Sequence, residues 1–233
     1  MPTCRVISPT CAGVVAFGYA DAVRGAFITF EGAEGVGKST QIALAAAHLR
    51  SRGIEPVVTR EPGGTPLAEQ LRALVLEPGR GPVAPIAELL IMFAARASHV
   101  QDVIRPALDA GRCVLCDRFT DCTEAYQGGG RGAEAATIRA LAAIAHPGLA
   151  PDLTLVFDVP EAVSNARLAT RGAGQDRIES ENGDFFGRVR RAYAAIAQRE
   201  PGRVRIVDAT RPEPEIAAEV ARLIDGVIGA VRR

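Results

Sequence analysis

Short runs of almost continuous apolar residues alternate along this chain with longer stretches in which apolar residues recur every three or four positions. That rhythm predicts buried strands separated by amphipathic helices. Residues 26–31, 54–59, 112–116, 153–157 and 204–207 read as strands; 40–52, 66–76, 85–110, 133–145, 161–171, 185–199 and 213–231 read as helices, the third kinked near Pro106. Strands that are apolar on both faces and alternate with helices predict an α/β fold: a five-stranded parallel sheet covered by helices on both faces. Residues 127–132 are expected to form a flexible glycine-rich loop, and the polar, glycine-punctuated stretch 172–183 a mobile lid. Residues 1–25 show no periodicity and are expected to be an extension without a catalytic role, leaving 26–233 as one domain.

Composition narrows the class. With 233 residues, 48% of them hydrophobic, and no apolar run near 18 residues, the chain is expected to be a soluble globular domain. Its formal net charge is zero, so nothing global recruits nucleic acid or an anionic membrane. Five unevenly spaced cysteines suit a reducing cytoplasm better than a disulfide framework. Cys113 and Cys116 lie three apart in an apolar strand, so they point to opposite sheet faces and do not make a metal site.

The strongest chemical signal follows the first strand. Gly32-Ala33-Glu34-Gly35-Val36-Gly37-Lys38-Ser39 fits G-x-x-x-x-G-K-[ST], with Thr40 next, placed between a strand and a helix. In such a loop, backbone N–H groups wrap the phosphates of a nucleotide such as ATP, the lysine reaches the terminal phosphates, and the serine hydroxyl meets Mg²⁺. The following helix aims its positive end at the same anion. Of 27 Lys plus Arg, Lys38 is the only lysine. A compact ammonium is kept at the one position where a guanidinium fork fits badly.

Ligands of parallel sheets bind beyond the carboxyl ends of the strands. There the sequence puts Gly32, Arg60-Glu61, Asp117-Arg118 and Asp158. Asp117, after an apolar run, is placed to hold Mg²⁺ directly or through water. Arg118, with Arg60 and Arg96, can grip a second phosphate group. A chain with one lysine has no Asn-Lys-x-Asp guanine reader, which excludes the commonest GTPase pattern. The variable positions of the loop hold no arginine, so the cation for a transferring phosphoryl group is expected from Arg167, Arg171 or Arg177 around the lid.

With the motifs Phe30-Glu31-Gly32, Thr59-Arg60-Glu61-Pro62-Gly63-Gly64-Thr65, Asp117-Arg118-Phe119, Ala125-Tyr126-Gln127-Gly128-Gly129-Gly130-Arg131-Gly132 and Pro151-Asp152-Leu153-Thr154, the chain resembles the bacterial thymidylate kinase family from about Ala26 onward. Asp176-Arg177-Ile178-Glu179 completes the set. The resemblance implies a P-loop NTPase-type three-layer fold and transfer of phosphate from ATP, with Mg²⁺, to dTMP, giving dTDP. It implies that Glu34 accepts from the sugar 3′-OH, that Arg60 and Arg118 hold the dTMP phosphate, and that Arg96 and Gln127 read the thymine edge near Thr123. It further implies that Tyr126 crowds the 2′ position, that Arg72 supports the pocket, and that the chain forms a homodimer. The family's thymine-stacking Phe position holds Met92 here, with Phe93 beside it; either can cover the base. A lid position that is often basic holds Ala169. The alternatives are another nucleoside monophosphate kinase and an idle ATP-binding regulatory module.

Overall fold

The computed structural model describes residues 24–78, 81, 83–171, 177–178, 181 and 183–231, with Arg171 described by its backbone alone. Residues 1–23 of the expected extension and most of the expected lid thus lie outside the described residues. Five strands, β1 (Phe27–Gly32), β2 (Val57–Arg60), β3 (Val114–Asp117), β4 (Leu153–Asp158) and β5 (Val204–Asp208), form one sheet in the order β2-β3-β1-β4-β5. All four pairings are parallel. The helices are α1 (Lys38–Ser51), α2 (Pro66–Leu76), α3 (Pro85–His99), α4 (Arg105–Asp109), α5 (Thr120–Thr123), α6 (Ala135–Ala145), α7 (Glu161–Arg171), α8 (Gly183–Arg199) and α9 (Glu213–Val231).

The strand alternation divides the core into two unlike halves. Ile28 and Phe30 of β1, with Leu115, Leu155 and Phe157, face α1 and α9 in a wholly apolar layer that includes Ile42, Leu49, Val220 and Ile224. Phe30 and Phe157 stack there with ring centroids 6.0 Å apart. On the opposite face, Phe27 packs with Val114, Cys116 and Phe119, but Thr29 and Glu31, which follow it at period two, are buried polar residues. Thr29 and Thr154 hydroxyls meet at 2.8 Å, and Thr154 donates to Asp121, which a bidentate Arg203 also holds. Cys113 and Cys116 fall in different apolar clusters, as the period-two argument requires.

Two elements depart from the sequence reading. The helix expected over 85–110 does not simply kink at Pro106: a π-helical stretch, Val100–Ile104, precedes it. Widening the turn there accommodates a residue that lacks an N–H. Of residues 127–132, expected as a loop, only the last two lie outside a helix. Gln127 to Gly130 belong to a second π-helical segment, Glu124–Gly130, whose exit is held by Arg131 N–H to Tyr126 C=O (3.0 Å) and Ala133 N–H to Gln127 C=O (2.9 Å). The glycines serve packing: a Cβ on Gly129 falls 2.6 Å from Ala192 Cβ, and one on Gly130 2.4 Å from the Phe185 ring, both on α8.

Candidate active site

β1 is the central strand, and its carboxyl end opens into the phosphate loop. Gly32 has φ +127°, and a Cβ there falls 2.3 Å from the Phe157 carbonyl; Gly37 caps α1 at φ 94°. Both conformations favour glycine. Lys38 is the first residue of α1 and is buried, not on a solvent-facing loop, with Nζ donating to the carbonyls of Gly32 (3.2 Å) and Ala33 (2.8 Å). Burial, and then the charge of Arg118, pull its ammonium below the ordinary lysine value, while Glu34 and Asp117 oppose that. Ser39 and Thr40 are exposed behind it.

One cleft of about 520 Å³ runs from this loop across the ends of β3 and β2. Glu34, Gly35, Gly37, Lys38, Ser39 and Thr40 line its loop end; Arg60, Arg72, Met92, Arg96, Asp117, Arg118, Thr123, Tyr126 and Gln127 line the rest. The fold therefore brings most of the residues singled out from the sequence to one cavity. Ala33 and Val36 face a second cavity of about 490 Å³ on the other side of the loop.

Arg118 is the hinge between loop and cleft. It has φ 70°, a left-handed conformation uncommon for a residue with a side chain, and its N–H donates to the Phe30 carbonyl at 3.0 Å. Its guanidinium pairs with Glu34, donates to the Gly32 carbonyl (3.1 Å), and lies 4.9 Å from the Tyr126 ring centre. Phe119 follows, and its N–H donates to Glu31 Oε1 at 2.7 Å, while the Tyr193 hydroxyl donates to Oε2 at 2.8 Å. Asp117 ends β3 with Oδ1 buried and without a partner. Cys122 also lines the cleft, but burial pushes its thiol up to about 11, so it stays protonated at neutral pH.

Arg96 enters from α3. Nε donates to Glu61 at 2.7 Å, and Nη2 to the Phe119 carbonyl (3.1 Å) and Thr123 Oγ1 (2.9 Å), while Nη1 is buried without a partner. Glu61 in turn meets His99 Nδ1 at 2.9 Å, and His99 Nε2 meets Thr59 at 2.6 Å. Burial acts to raise the Glu61 pKa, but Arg96 and His99 outweigh it and hold the carboxyl below its ordinary value. The Glu61–Pro62 peptide is cis. Arg72, on a helix capped by the Thr65 hydroxyl, donates to the Pro62 carbonyl at 2.9 Å. Arg60 stands at the exposed rim, paired with Glu69.

Several sequence readings change on this geometry. Met92 lines the cleft, whereas Phe93 is buried with Leu89 and Ile138 and lies beneath Arg96, whose guanidinium is 4.8 Å from its ring centre. Arg177 is tied to the Val75 carbonyl (2.7 Å) and to Glu88, on the α2–α3 side. Arg167 lines the cleft and donates to the Ala209 carbonyl at 3.1 Å; the Arg171 side chain and Asp176 lie outside the described residues. Sequence reasoning assigned no task to Glu31, Glu61, Glu88 or His99. Glu31 and Glu61 each sit inside a recognised motif, and Glu61 also falls at the carboxyl end of a strand; Glu88 and His99 look like ordinary helix positions.

A central strand feeding a phosphate loop, with a second arginine cluster facing that loop across one cleft, defines the class as a P-loop kinase fold. The family model described as thymidylate kinase matches residues 30–220. The thymidylate kinase of Pseudomonas putida (strain GB-1) is 51% identical over 210 residues, spanning 90% of this chain and 100% of that protein. That of Chromohalobacter salexigens is 52% identical over 198 residues, 84% of this chain and 93% of that one. The crystal structure of thymidylate kinase from Ehrlichia chaffeensis is similar at a TM-score of 0.68 and 32% identity, covering 86% of this chain and 99% of that one. The chain belongs to the thymidylate kinase family.

Proposed function

We propose that the chain transfers the γ-phosphoryl group of ATP to dTMP, giving ADP and dTDP, with both nucleotides in the one cleft. The acceptor reading is carried by Arg96: a guanidinium buried to 4% exposure keeps Nη1 unpartnered, in a wall shared with Gln127 and Tyr126 and continuous with Lys38. A buried unpaired donor is costly unless a ligand supplies the acceptor.

Loop N–H groups and Lys38 hold the β- and γ-phosphates of ATP. An oxygen of the dTMP phosphate attacks the γ-phosphorus, and the bond from that phosphorus to the β–γ bridging oxygen breaks, leaving ADP. Arg60 and Arg118 hold the acceptor phosphate, and the support Arg72 gives to the Pro62 carbonyl keeps the rim in place. Arg96 and Gln127 read the base near Thr123, and Met92, not Phe93, covers it. Tyr126 fills the space that a 2′-OH needs, and Glu34 accepts from the 3′-OH. Arg167, with Arg171 on the same helix, supplies the cation over the transferring group, while Arg177 is engaged with Glu88. No group of three or more His, Cys, Asp or Glu among the described residues makes a metal site. A Mg²⁺ that keeps waters and phosphate oxygens needs few protein ligands, and the orphan Oδ1 of Asp117 with the Ser39 hydroxyl fits that demand. When bound, it neutralises charge on the phosphate oxygens.

We also infer a homodimer. Leu67 and Leu74 on α2, Ile86 and Leu90 on α3 and Ile144 on α6 are exposed apolar residues on three neighbouring helices, a surface suited to a second copy. No helix among the described residues is long and apolar enough to cross a membrane. Free thiols at Cys116 and Cys122 support a cytoplasmic setting.

A coupled ADP-release assay offering dTMP, dUMP, UMP, CMP, AMP and GMP tests the reading. The expected result is preference for dTMP, with kcat/KM for UMP and the other ribonucleotides lower by about 10²-fold or more. No turnover with dTMP, or equal turnover with all acceptors, overturns it.

A further inference from the structure

We propose that Glu88 is a positioning residue that orients the Gln127 amide, and so makes the cleft select a thymine-type base over cytosine. The proposal rests on the cleft being the dTMP site. Glu88 lies in the first turn of α3, fully buried, and is not itself part of the cleft wall. Its Oε1 accepts from Gln127 Nε2 at 2.8 Å and from Arg131 Nε at 3.2 Å, and its Oε2 pairs with Arg177. Burial favours the neutral acid, but the bonds from Gln127, Arg177 and Arg131 hold this carboxyl below its ordinary value.

A carboxylate can only accept, so the Gln127 group turned toward it is the NH2. The carbonyl oxygen is then the half of the amide left for the cleft, which Gln127 lines. The unpartnered Arg96 Nη1 offers a donor in the same cavity. A donor beside an acceptor matches thymine, which presents O4 and N3–H. Cytosine presents an N4 amino group and a bare N3, and meets donor with donor and acceptor with acceptor. An amide has no intrinsic preference for one face, so the discrimination depends on the buried carboxylate that fixes it. Arg131, which also pairs with Glu181, shares Oε1 with Gln127, and Arg177 holds the other oxygen of that carboxylate.

The test measures kcat/KM for dTMP and dCMP in wild type, Glu88→Gln, Gln127→Met and the double variant, with thermal unfolding alongside. Glu88→Gln gives the amide a partner that both donates and accepts. The expected result is a fall of at least about 10-fold in the dTMP-to-dCMP ratio, carried mainly by KM for dTMP. In the Gln127→Met background the same change is expected to alter the ratio no further, because the two residues act as one unit. A lid role alone, through Arg177, lowers kcat equally for both acceptors; that outcome, or a ratio within about threefold of wild type, overturns the proposal. If Glu88→Gln does not fold, the wild-type protein decides. Its Gln127 side-chain NH2 protons are expected to resist exchange before dTMP is added, and exchange at the solvent rate overturns the proposal. A wild type that fails to use dTMP at all is a failure of the acceptor reading instead, and is seen before any variant is compared.

Discussion

Glu31 and Glu61 sit at the exits of β1 and β2, at 0% and 4% exposure, and both have each carboxyl oxygen engaged. Their ionisation nevertheless differs. Glu31 is bonded by neutral donors, the Phe119 N–H and the Tyr193 hydroxyl, and burial with the nearby Asp121 pushes its pKa up to about 8, against the opposing charge of Arg118. Glu61 is bonded by Arg96 and His99, and is held below its ordinary value despite the same burial. The lesson is that burial raises the pKa at both sites, and the charge of the partner decides the outcome. Glu61 fixes an arginine that must face the cleft, whereas Glu31 fastens the backbone turn that carries Arg118 to α8.

The largest expected effect tests the Glu31 half. With a folded pKa of about 8 against an ordinary 4.5, the fold favours its neutral form, so its contribution is fully present below about pH 4.5 and is lost as pH rises through about 8. At about 1.4 kcal/mol per unit, the gap between wild type and Glu31→Gln should swing on the order of 5 kcal/mol toward the variant over that window. Urea unfolding of both proteins across the range checks it, and a constant gap removes the contrast. Next comes Glu61→Ala, which leaves Arg96 buried without its carboxylate; the expected cost is about 3–4 kcal/mol at neutral pH, with a raised KM for dTMP. A loss under about 1 kcal/mol means that the charge on Glu61 does not matter to the fold. Smallest is Tyr193→Phe, which removes one neutral bond for an expected cost of about 1–2 kcal/mol and shifts the Glu31 titration to higher pH, since that bond favours the charged form. A downward shift in the same pH series contradicts the account.

Much of this was legible before any coordinates. The phosphate loop, α2 from Pro66 to Leu76, α7 and α9 follow the sequence reading to the residue, because glycine, proline and apolar spacing act locally. The motif residues Arg60, Asp117, Arg118, Tyr126 and Gln127 do line one cleft, together with Arg96. The 127–132 stretch misled because glycine reads as loop when its neighbours in space are unknown: here its missing side chains admit Ala192 and Phe185. Met92 and Phe93 are adjacent on a helix, about 100° apart, so which of them faces the ligand depends on how α3 is rotated against its neighbours.

The sequence by itself determined the α/β alternation, the parallel sheet and the place of the phosphate-binding chemistry at the end of β1, since each is written in residues close together along the chain. Only the tertiary structure decided which buried carboxylates carry charge, that Arg177 meets Glu88, and that Glu31 holds Phe119 and Tyr193 together. Those contacts join residues separated by 89, 88 and 162 positions. Their energies come from desolvation and partner charge, quantities that exist only once the chain has folded and excluded water from between the groups.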